Sequence, residues 1–235
     1  MRSLAGHVRA GGLVVALEPS CTAVFRADAA ELFPGDQDVL RLAERTVTLS
    51  ELLTEHSPGY RPPRVPDRSA RALAQVHCHQ HAVLGWEADQ ELLRRAGVDA
   101  ERLDSGCCGL AGNFGFERGH LDVSEACAER VLLPRLREED ASTVVLADGF
   151  SCRTQIHEFD SGGHEGVHLA ELLASALPAP AAGAGTPGSA YGTAPGARPA
   201  APGPRARALA LAATGAAAVG AAAAATALAR SLRRR

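Results

Sequence analysis

The chain has 235 residues, 46% of them hydrophobic, and a formal net charge of −3. That apolar content suffices for a buried core and excludes a fully disordered chain. The small negative charge argues against a dedicated nucleic-acid-binding protein, which normally carries a basic face. All 24 basic residues are Arg, so the abundance of Arg reflects residue usage and indicates no phosphate site.

Short apolar runs alternate with helical patterns over residues 1–177, which predicts an α/β fold with a Rossmann-like parallel sheet. Strands are predicted at residues 13–17, 72–76 and 143–147. Helices are predicted at residues 36–45, 49–55 with Ser50 as the N-cap, 87–96 ending at Gly97, 121–137 with a kink or an early end at Pro134, and 167–177. Residues 60–66 contain three prolines and are predicted to form a loop.

The composition changes after residue 177. Seven of the 14 prolines lie in residues 178–204, which predicts a disordered linker at 178–207 followed by an Ala-rich helical tail at 208–235. Residues 208–229 carry no charge and are long enough to cross a membrane. Fourteen of them are Ala, so burial in lipid contributes little. The favoured interpretation of residues 208–229 is therefore part of an Ala-rich tail in water, and a membrane anchor is the alternative.

The N-terminus lacks an apolar run long enough for a secretory signal, so we expect a cytoplasmic protein, with membrane association through residues 208–229 as the alternative. Its six cysteines are then reduced thiols available to a metal. Each predicted strand runs toward one cysteine, in turn Cys21, Cys78 and Cys152. Ligand sites in parallel sheets lie beyond the carboxyl ends of the strands, so we expect these thiols to converge. The alternative is that each is a small buried apolar residue.

Two further cysteines, Cys107 and Cys108, are adjacent in the sequence. Glycines bracket the pair at positions 106, 109, 112 and 115. Such a loop lets backbone amides approach sulfur closely, as metal-bound thiolates require. A strained vicinal disulfide or a structural turn are the alternatives, but neither explains four glycines within ten residues. The pattern predicts a metal-binding loop.

These motifs resemble the cysteine-rich CCG domain. That domain occurs in the B subunit of heterodisulfide reductase, in iron–sulfur subunits of glycolate oxidase and anaerobic glycerol-3-phosphate dehydrogenase, and in lactate-utilisation proteins. The sequence is most similar to the C-terminal part of proteins that fuse an FAD-linked oxidase to an iron–sulfur region. The matching segments, which span roughly residues 10–177, are Glu18-Pro-Ser-Cys21, Val76-His-Cys-His-Gln80, Gly106-Cys-Cys-Gly-Leu-Ala-Gly112, residues 146–156 and residues 168–173.

The resemblance has one departure that affects the metal ligands. The family pattern ends in Cys-x-x-Cys, whereas this segment reads Gly149-Phe-Ser-Cys152 and lacks the first cysteine. Glu18 replaces the equivalent cysteine before Cys21, which marks residues 1–60 as the remnant of a first CCG unit. Residues 61–177 then form the CCG-type iron–sulfur domain.

The ligand set follows from this resemblance. It implies four iron ligands, enough for a [4Fe–4S] cluster, with Cys21 as an additional candidate. The four are Cys78, Cys107, Cys108 and Cys152. Gly109, Gly112 and Gly115 are expected to shape the loop around the cluster. Cys127 lies within a predicted helix and is interpreted as a packing residue.

Three histidines, His77, His79 and His81, alternate around Cys78. On an extended strand they would share one face and, with Cys78, could bind zinc. Hydrogen bonding to a thiolate or a substrate is a second interpretation, and ordinary core or surface positions a third.

The function implied is an iron–sulfur electron-transfer module of an FAD-linked oxidoreductase of the 2-hydroxy-acid dehydrogenase type. The chain shows no flavin-binding motif, so FAD is expected only on a partner, either a flavoprotein subunit or a missing N-terminal portion. Neither the charge nor the motifs indicate a nucleic-acid partner. The alternative is a truncated metal-binding domain, zinc or structural, without redox turnover. Zinc-dependent hydrolysis lacks a general base at a suitable spacing.

Overall fold

Within residues 2–66 and 69–178, the part of the chain that the computed structural model describes, six short strands form two parallel sheets. The smaller sheet pairs β1 with β2, and the larger has the order β4-β3-β5-β6. The strands are β1 (Val14–Val15), β2 (Thr46–Val47), β3 (Arg71–Ala74), β4 (Asp99–Arg102), β5 (Val144–Leu146) and β6 (Gly166–Val167). The predicted parallel α/β class is confirmed. The linker and tail expected after residue 178 lie outside the described residues.

Helices connect the strands, as parallel pairing requires. They are α1 (Arg2–Arg9), α2 (Pro19–Ala23), α3 (Ala29–Leu32), α4 (Gln37–Arg45), α5 (Leu49–Thr54), α6 (Glu87–Ala96), α7 (Leu121–Arg130), α8 (Leu132–Arg137), α9 (Phe150–Phe159) and α10 (Leu169–Ser175). Wide π-helical turns occur at Val24–Asp28 and Gln80–Leu84, and a 3₁₀ turn at Phe114–Phe116. None of the helices in the described residues is long and apolar enough to cross a membrane.

The core has two parts, one on each face of the larger sheet. Successive strand residues point to opposite faces, so Leu73 packs into one part while its neighbours Ala72 and Ala74 pack into the other. The first part is completed mainly by Leu110, Leu132, Leu136, Val145 and Ile156. The second contains Trp86, Leu92, Leu93, Leu146, Leu169 and Leu172. Both faces of β3 and β5 are therefore covered, and these strands form a rigid base for the segments that follow them.

Two helix ends show how local sequence sets the boundaries. The helix predicted at residues 87–96 is confirmed as α6, and Gly97 ends it in the left-handed conformation at φ +83°. The prediction of Ser50 as the cap of α5 is wrong. Thr48 is the N-cap, and its hydroxyl accepts the backbone N–H of Glu51 while the Glu51 carboxylate accepts the N–H of Thr48. Ser50 lies inside the helix and is buried.

The predicted helix at residues 121–137 is divided into α7 and α8. The break falls at Val131, whose backbone has φ −143°. Pro134 causes it, because its ring clashes with the carbonyl four residues earlier and it has no N–H to donate. The predicted early end is therefore confirmed, with a second short helix beyond it.

Other predicted boundaries shift by a few residues. All three predicted strands are shorter than expected. The predicted last helix begins only at Leu169, because Val167 belongs to β6 and His168 is the N-cap. The Nδ1 atom of His168 accepts the Ala170 N–H, so its Nε2 donates to the carbonyl of Leu17, 2.8 Å away. This bond ties the segment after β1 to the start of α10.

Candidate metal centre

The Cys-Cys-Gly segment forms a tight loop whose backbone N–H groups face sulfur. The Gly109 N–H donates to Sγ of Cys107 over 3.3 Å, and the N–H groups of Leu110 and Ala111 donate to Cys108. Gly109 and Gly112 have φ near +70°, and Ala111 also has a positive φ of 31°. Successive residues of this kind turn neighbouring amides toward one point and form an anion-binding hollow.

Gly109 is also required by packing. A β-carbon at this position would lie 3.0 Å from Cα of Ser124 and 3.2 Å from Sγ of Cys127, both on α7. Gly115 likewise lies directly against Leu110. The loop therefore sits on α7 without room for a side chain, which accounts for the glycine that follows the two cysteines.

Buried polar groups fix the other side of the loop. The carbonyl of Cys108 accepts two hydrogen bonds of 2.7 Å, from Oγ of Ser124 and from Nε2 of Gln155. Gln155 also donates to the carbonyl of Ser124 over 2.9 Å. These buried bonds join the loop to α7 and α9 and hold the Cys108 backbone in one position. The sequence patterns did not predict a role for Ser124 or Gln155.

Cys152 reaches the loop from the first turn of α9. Gly149 is the N-cap of this helix, and Cys152 is buried one turn after it. The positive end of a helix dipole stabilises a nearby thiolate. The Cys152 thiol donates a hydrogen bond to the sulfur of Cys108.

Cys78 completes the group from the segment after β3. It is half-buried, its thiol donates to Cys107, and it interacts electrostatically with Cys108 and Cys152. Four sulfur atoms from three separate segments are thus linked by pairwise interactions. Cys107 is exposed, whereas Cys108 and Cys152 are buried.

The pKa values of these thiols differ because they share hydrogen bonds. Donation by Cys152 and Ser151 and by the loop amides lowers the pKa of Cys108 to about 5, although burial opposes this. Burial and the neighbouring thiol of Cys107 raise the pKa of Cys78 to about 11. The pKa of Cys152 is raised well above its usual value by its hydrogen bond to Cys108 and by burial. The group therefore concentrates negative charge on Cys108, where a cation would be attracted.

The three histidines do not share one face, so that expectation is wrong. Strand β3 ends at Ala74, and the chain turns helically from Cys78 onward, which rotates successive side chains by about 100° instead of 180°. His77 is buried, whereas His79 and His81 are exposed. The rings of His77 and His79 stack with centroids 5.2 Å apart.

His77 is held by neighbours on both ring nitrogens. Its Nδ1 accepts the backbone N–H of His79 over 3.1 Å, and its Nε2 lies 3.4 Å from Oγ of Ser151. Burial lowers the pKa of His77, although the carboxylate of Glu18 opposes this. Burial and the accepting Nδ1 atom both favour the neutral imidazole.

Cys21 lies in the first turn of α2 and is exposed. The described contacts of its side chain are with Glu18 and Ser20. Burial and the Glu18 carboxylate raise the pKa of Cys21. Glu18 is the N-cap of α2 and also interacts electrostatically with His77, so it links this helix to the segment that carries Cys78.

Comparison with known proteins relates the chain to dehydrogenases. It is 31% identical over 170 residues to the C subunit of the anaerobic glycerol-3-phosphate dehydrogenase of Escherichia coli strain K12, covering 70% of this chain and 40% of that protein. It is 34% identical over 105 residues to the D-2-hydroxyglutarate dehydrogenase of Pantoea ananatis, covering 42% of this chain and 10% of the relative. The enzyme of the same name from Pseudomonas putida is 26% identical over 148 residues, which are 61% of this chain and 13% of the relative.

These similarities define the chain as an α/β relative of dehydrogenase subunits and domains, which is the coarse class expected from its sequence. The chain spans less than half the length of each of these relatives. No protein-family profile matches the chain. No solved structure matches it either.

Proposed function

We propose that this chain is an iron–sulfur electron-transfer module that holds a [4Fe–4S] cluster. Its ligands would be the four thiols that interact in pairs, and their approach from three separate segments is the observation that carries the proposal. These ligands are Cys78, Cys107, Cys108 and Cys152. The donor set fits the group, because such clusters take four Cys thiolates and their sulfur atoms accept backbone N–H bonds. The loop amides of residues 109–111 supply those donors.

When bound, such a cluster accepts and releases single electrons. The chain's own residues would hold it and shield it from water. Cys108 and Cys152 are buried beneath the loop, while Cys107 is exposed. An electron partner would therefore approach from the side of Cys107.

The partner in this proposal is an FAD-carrying dehydrogenase polypeptide that oxidises a small hydroxylated substrate. Support comes from the relatives, whose names describe a glycerol-3-phosphate dehydrogenase subunit and D-2-hydroxyglutarate dehydrogenases. It also comes from the resemblance to regions fused to FAD-linked oxidases. The isolated chain should then show no 2-hydroxy-acid dehydrogenase activity with a dye acceptor. Oxidation of lactate, glycolate or 2-hydroxyglutarate by the reconstituted chain alone would contradict this assignment.

Anaerobic reconstitution of the full chain with iron and sulfide tests the cluster. We expect about four iron and four sulfide per chain, a broad visible absorbance that bleaches on reduction with dithionite, and an EPR signal from the reduced protein. Iron and sulfide contents that stay at the level of a Cys108→Ser variant would overturn the proposal.

A single metal ion is the second candidate, since nitrogen and sulfur atoms of His77, Cys78 and His79 all lie within 4.8 Å of one another. One contact speaks against it, because Nδ1 of His77 already accepts the His79 N–H. Zinc binding measured for His79→Ala and wild type separates the two candidates. A metal-binding domain without redox turnover would lose zinc in this variant and would show no reducible cluster. The electron-transfer module would keep its iron.

A further inference from the structure

The imidazole of His77 occupies the space where a side chain at position 149 would lie. A β-carbon built on Gly149 would overlap Cδ2 of His77 and would approach its Cγ to 3.1 Å. The backbone of Gly149 has φ −80° and ψ 135°, which any residue can adopt. Position 149 therefore needs glycine because of His77, not because of the backbone. The glycine lets the imidazole reach the start of α9.

The hydrogen bonds of His77 determine where its proton lies. Because Nδ1 accepts the backbone N–H of His79, the ring carries its proton on Nε2. Nε2 faces Oγ of Ser151 at 3.4 Å. His77 therefore donates to Ser151, and the hydroxyl proton of Ser151 is free to point elsewhere.

On its other side the Ser151 hydroxyl interacts with sulfur. Its hydrogen bonds with the side chains of Cys108 and Cys152 each act to lower the pKa of that thiol, which is the effect of donation to sulfur. Ser151 thus accepts from His77 on one side and donates to sulfur on the other. The result is a continuous chain of donors that runs from the imidazole through the hydroxyl to the sulfur of Cys108.

We propose that His77 and Ser151 are positioning residues that donate in series to the sulfur of Cys108 and thereby raise the reduction potential of the cluster. A donor to a ligand sulfur stabilises the extra negative charge of the reduced state, which makes reduction easier. Accepting from His77 polarises the Ser151 hydroxyl and strengthens its own donation. The effect on the potential rests on the proposed function, whereas the hydrogen-bond chain exists without iron.

Redox titration of reconstituted protein, followed by EPR, tests the effect on the potential. Ser151→Ala removes the donor and should shift the midpoint to a more negative value, while Ser151→Thr keeps a hydroxyl and should restore it toward wild type. Gly149→Ala displaces the imidazole without touching a ligand and should shift the midpoint in the same direction. Thr154→Ala is the matched control, because its hydroxyl lies on the same helix but bonds to the carbonyl of Phe150.

Changes at Ser151 and Gly149 interrupt the same series of hydrogen bonds, so their effects on the midpoint potential should not add. The Ser151→Ala/Gly149→Ala double variant should have the midpoint of Ser151→Ala alone. An unchanged midpoint in either single variant overturns the proposal. So does a double variant whose shift equals the sum of the two single shifts.

Nitrogen NMR of the iron-free protein tests the hydrogen-bond chain separately. With ¹⁵N-labelled histidine, His77 should carry its proton on Nε2 in wild type, and this pattern should be lost in Gly149→Ala while the exposed His81 is unchanged. A His77 proton on Nδ1 overturns the proposal even where no cluster forms. Failure of cluster assembly together with the expected NMR pattern would instead overturn the proposed function and the effect on the potential, leaving the hydrogen-bond chain as a structural feature.

Discussion

Ser50 donates a hydrogen bond of 2.8 Å from its hydroxyl to Oδ2 of Asp89, and the bond joins α5 to α6. Both side chains are buried. Burial and, to a lesser extent, the nearby carboxylate of Asp148 raise the pKa of Asp89 to about 7, although donors such as Ser50 and Gln80 oppose the shift. The junction between these two helices therefore contains a carboxyl group that holds its proton near neutrality.

This carboxyl group makes stability depend on pH. Between pH 4 and 7 the folded chain keeps a proton that the unfolded chain, with a carboxyl pKa of 3.8, has lost. The free energy of unfolding should therefore fall as pH rises through this range, by up to about 1.4 kcal/mol per pH unit, and level off above pH 7. Urea unfolding of Asp89→Asn, which is never charged, should show a weaker dependence. An equally steep decline in the variant would rule out Asp89 as its source.

The cysteines divide into those in the loop and those outside it. Cys107→Ser and Cys108→Ser should each abolish iron incorporation, because both sulfur atoms belong to the four that interact in pairs. Cys127→Ser should retain iron, since its sulfur lies against the backbone of Gly109. Iron and sulfide analysis after anaerobic reconstitution provides the measurement. Loss of iron from Cys127→Ser as complete as from Cys108→Ser would contradict the ligand assignment.

Two glycines of the loop have the same backbone conformation but different surroundings. Gly109 lies against α7, whereas a β-carbon at Gly112 would meet open space. Gly112→Ala should cost about 1–2 kcal/mol through the left-handed backbone alone. Gly109→Ala should cost more and should impair cluster assembly, because the loop must also move away from α7. Urea unfolding and iron content of the two variants provide the comparison, and equal losses in both would exclude the packing argument.

Both parts of the core are built from residues that precede the expected linker. A chain ending at Leu177 should therefore fold and incorporate iron as the full chain does. Circular dichroism and iron analysis of the two forms provide the test, and fractionation of cells expressing them examines the alternative that residues 208–229 bind a membrane. Loss of solubility on removing residues 208–235 would contradict both interpretations of the tail.

Sequence patterns identified the longer helices and strands because these elements depend on interactions between residues that are close in the sequence. Helix α6 could be predicted to the residue, since Gly97 supplies its left-handed end. Strands β2 and β6 have two residues each, too few to show a period of two. Strand β4 carries three charged residues at the edge of its sheet and shows no apolar pattern. Helix α9 escaped prediction because the buried Gln155 interrupts its apolar face.

The candidate metal centre also has one part that short-range sequence patterns predict and another that depends on the fold. Cysteines and glycines in fixed order identified the loop and the four candidate ligands from short-range patterns. Gln155 and Ser124 hold the loop across 47 and 16 positions of the chain, so only the folded structure brings them to Cys108. The change from strand to helical turn at Cys78 separated the histidines, and that change depends on where pairing with β5 stops. The roles of the four cysteines as iron ligands, and of Cys21 as an additional one, remain predictions.

The overlap between the imidazole of His77 and the missing side chain at position 149 makes these two positions epistatic. A Gly149→Cys change would create the Cys-x-x-Cys pattern of the CCG domain that the sequence resembles, but it introduces a side chain where the ring lies, so it should be deleterious on its own. The same change should be tolerated after His77 has been replaced by a small residue. A chain that starts with His77 and Gly149 must therefore lose the imidazole before it can gain a cysteine at position 149. A chain that starts with a cysteine at position 149 must change that residue to glycine before it can gain a histidine at position 77.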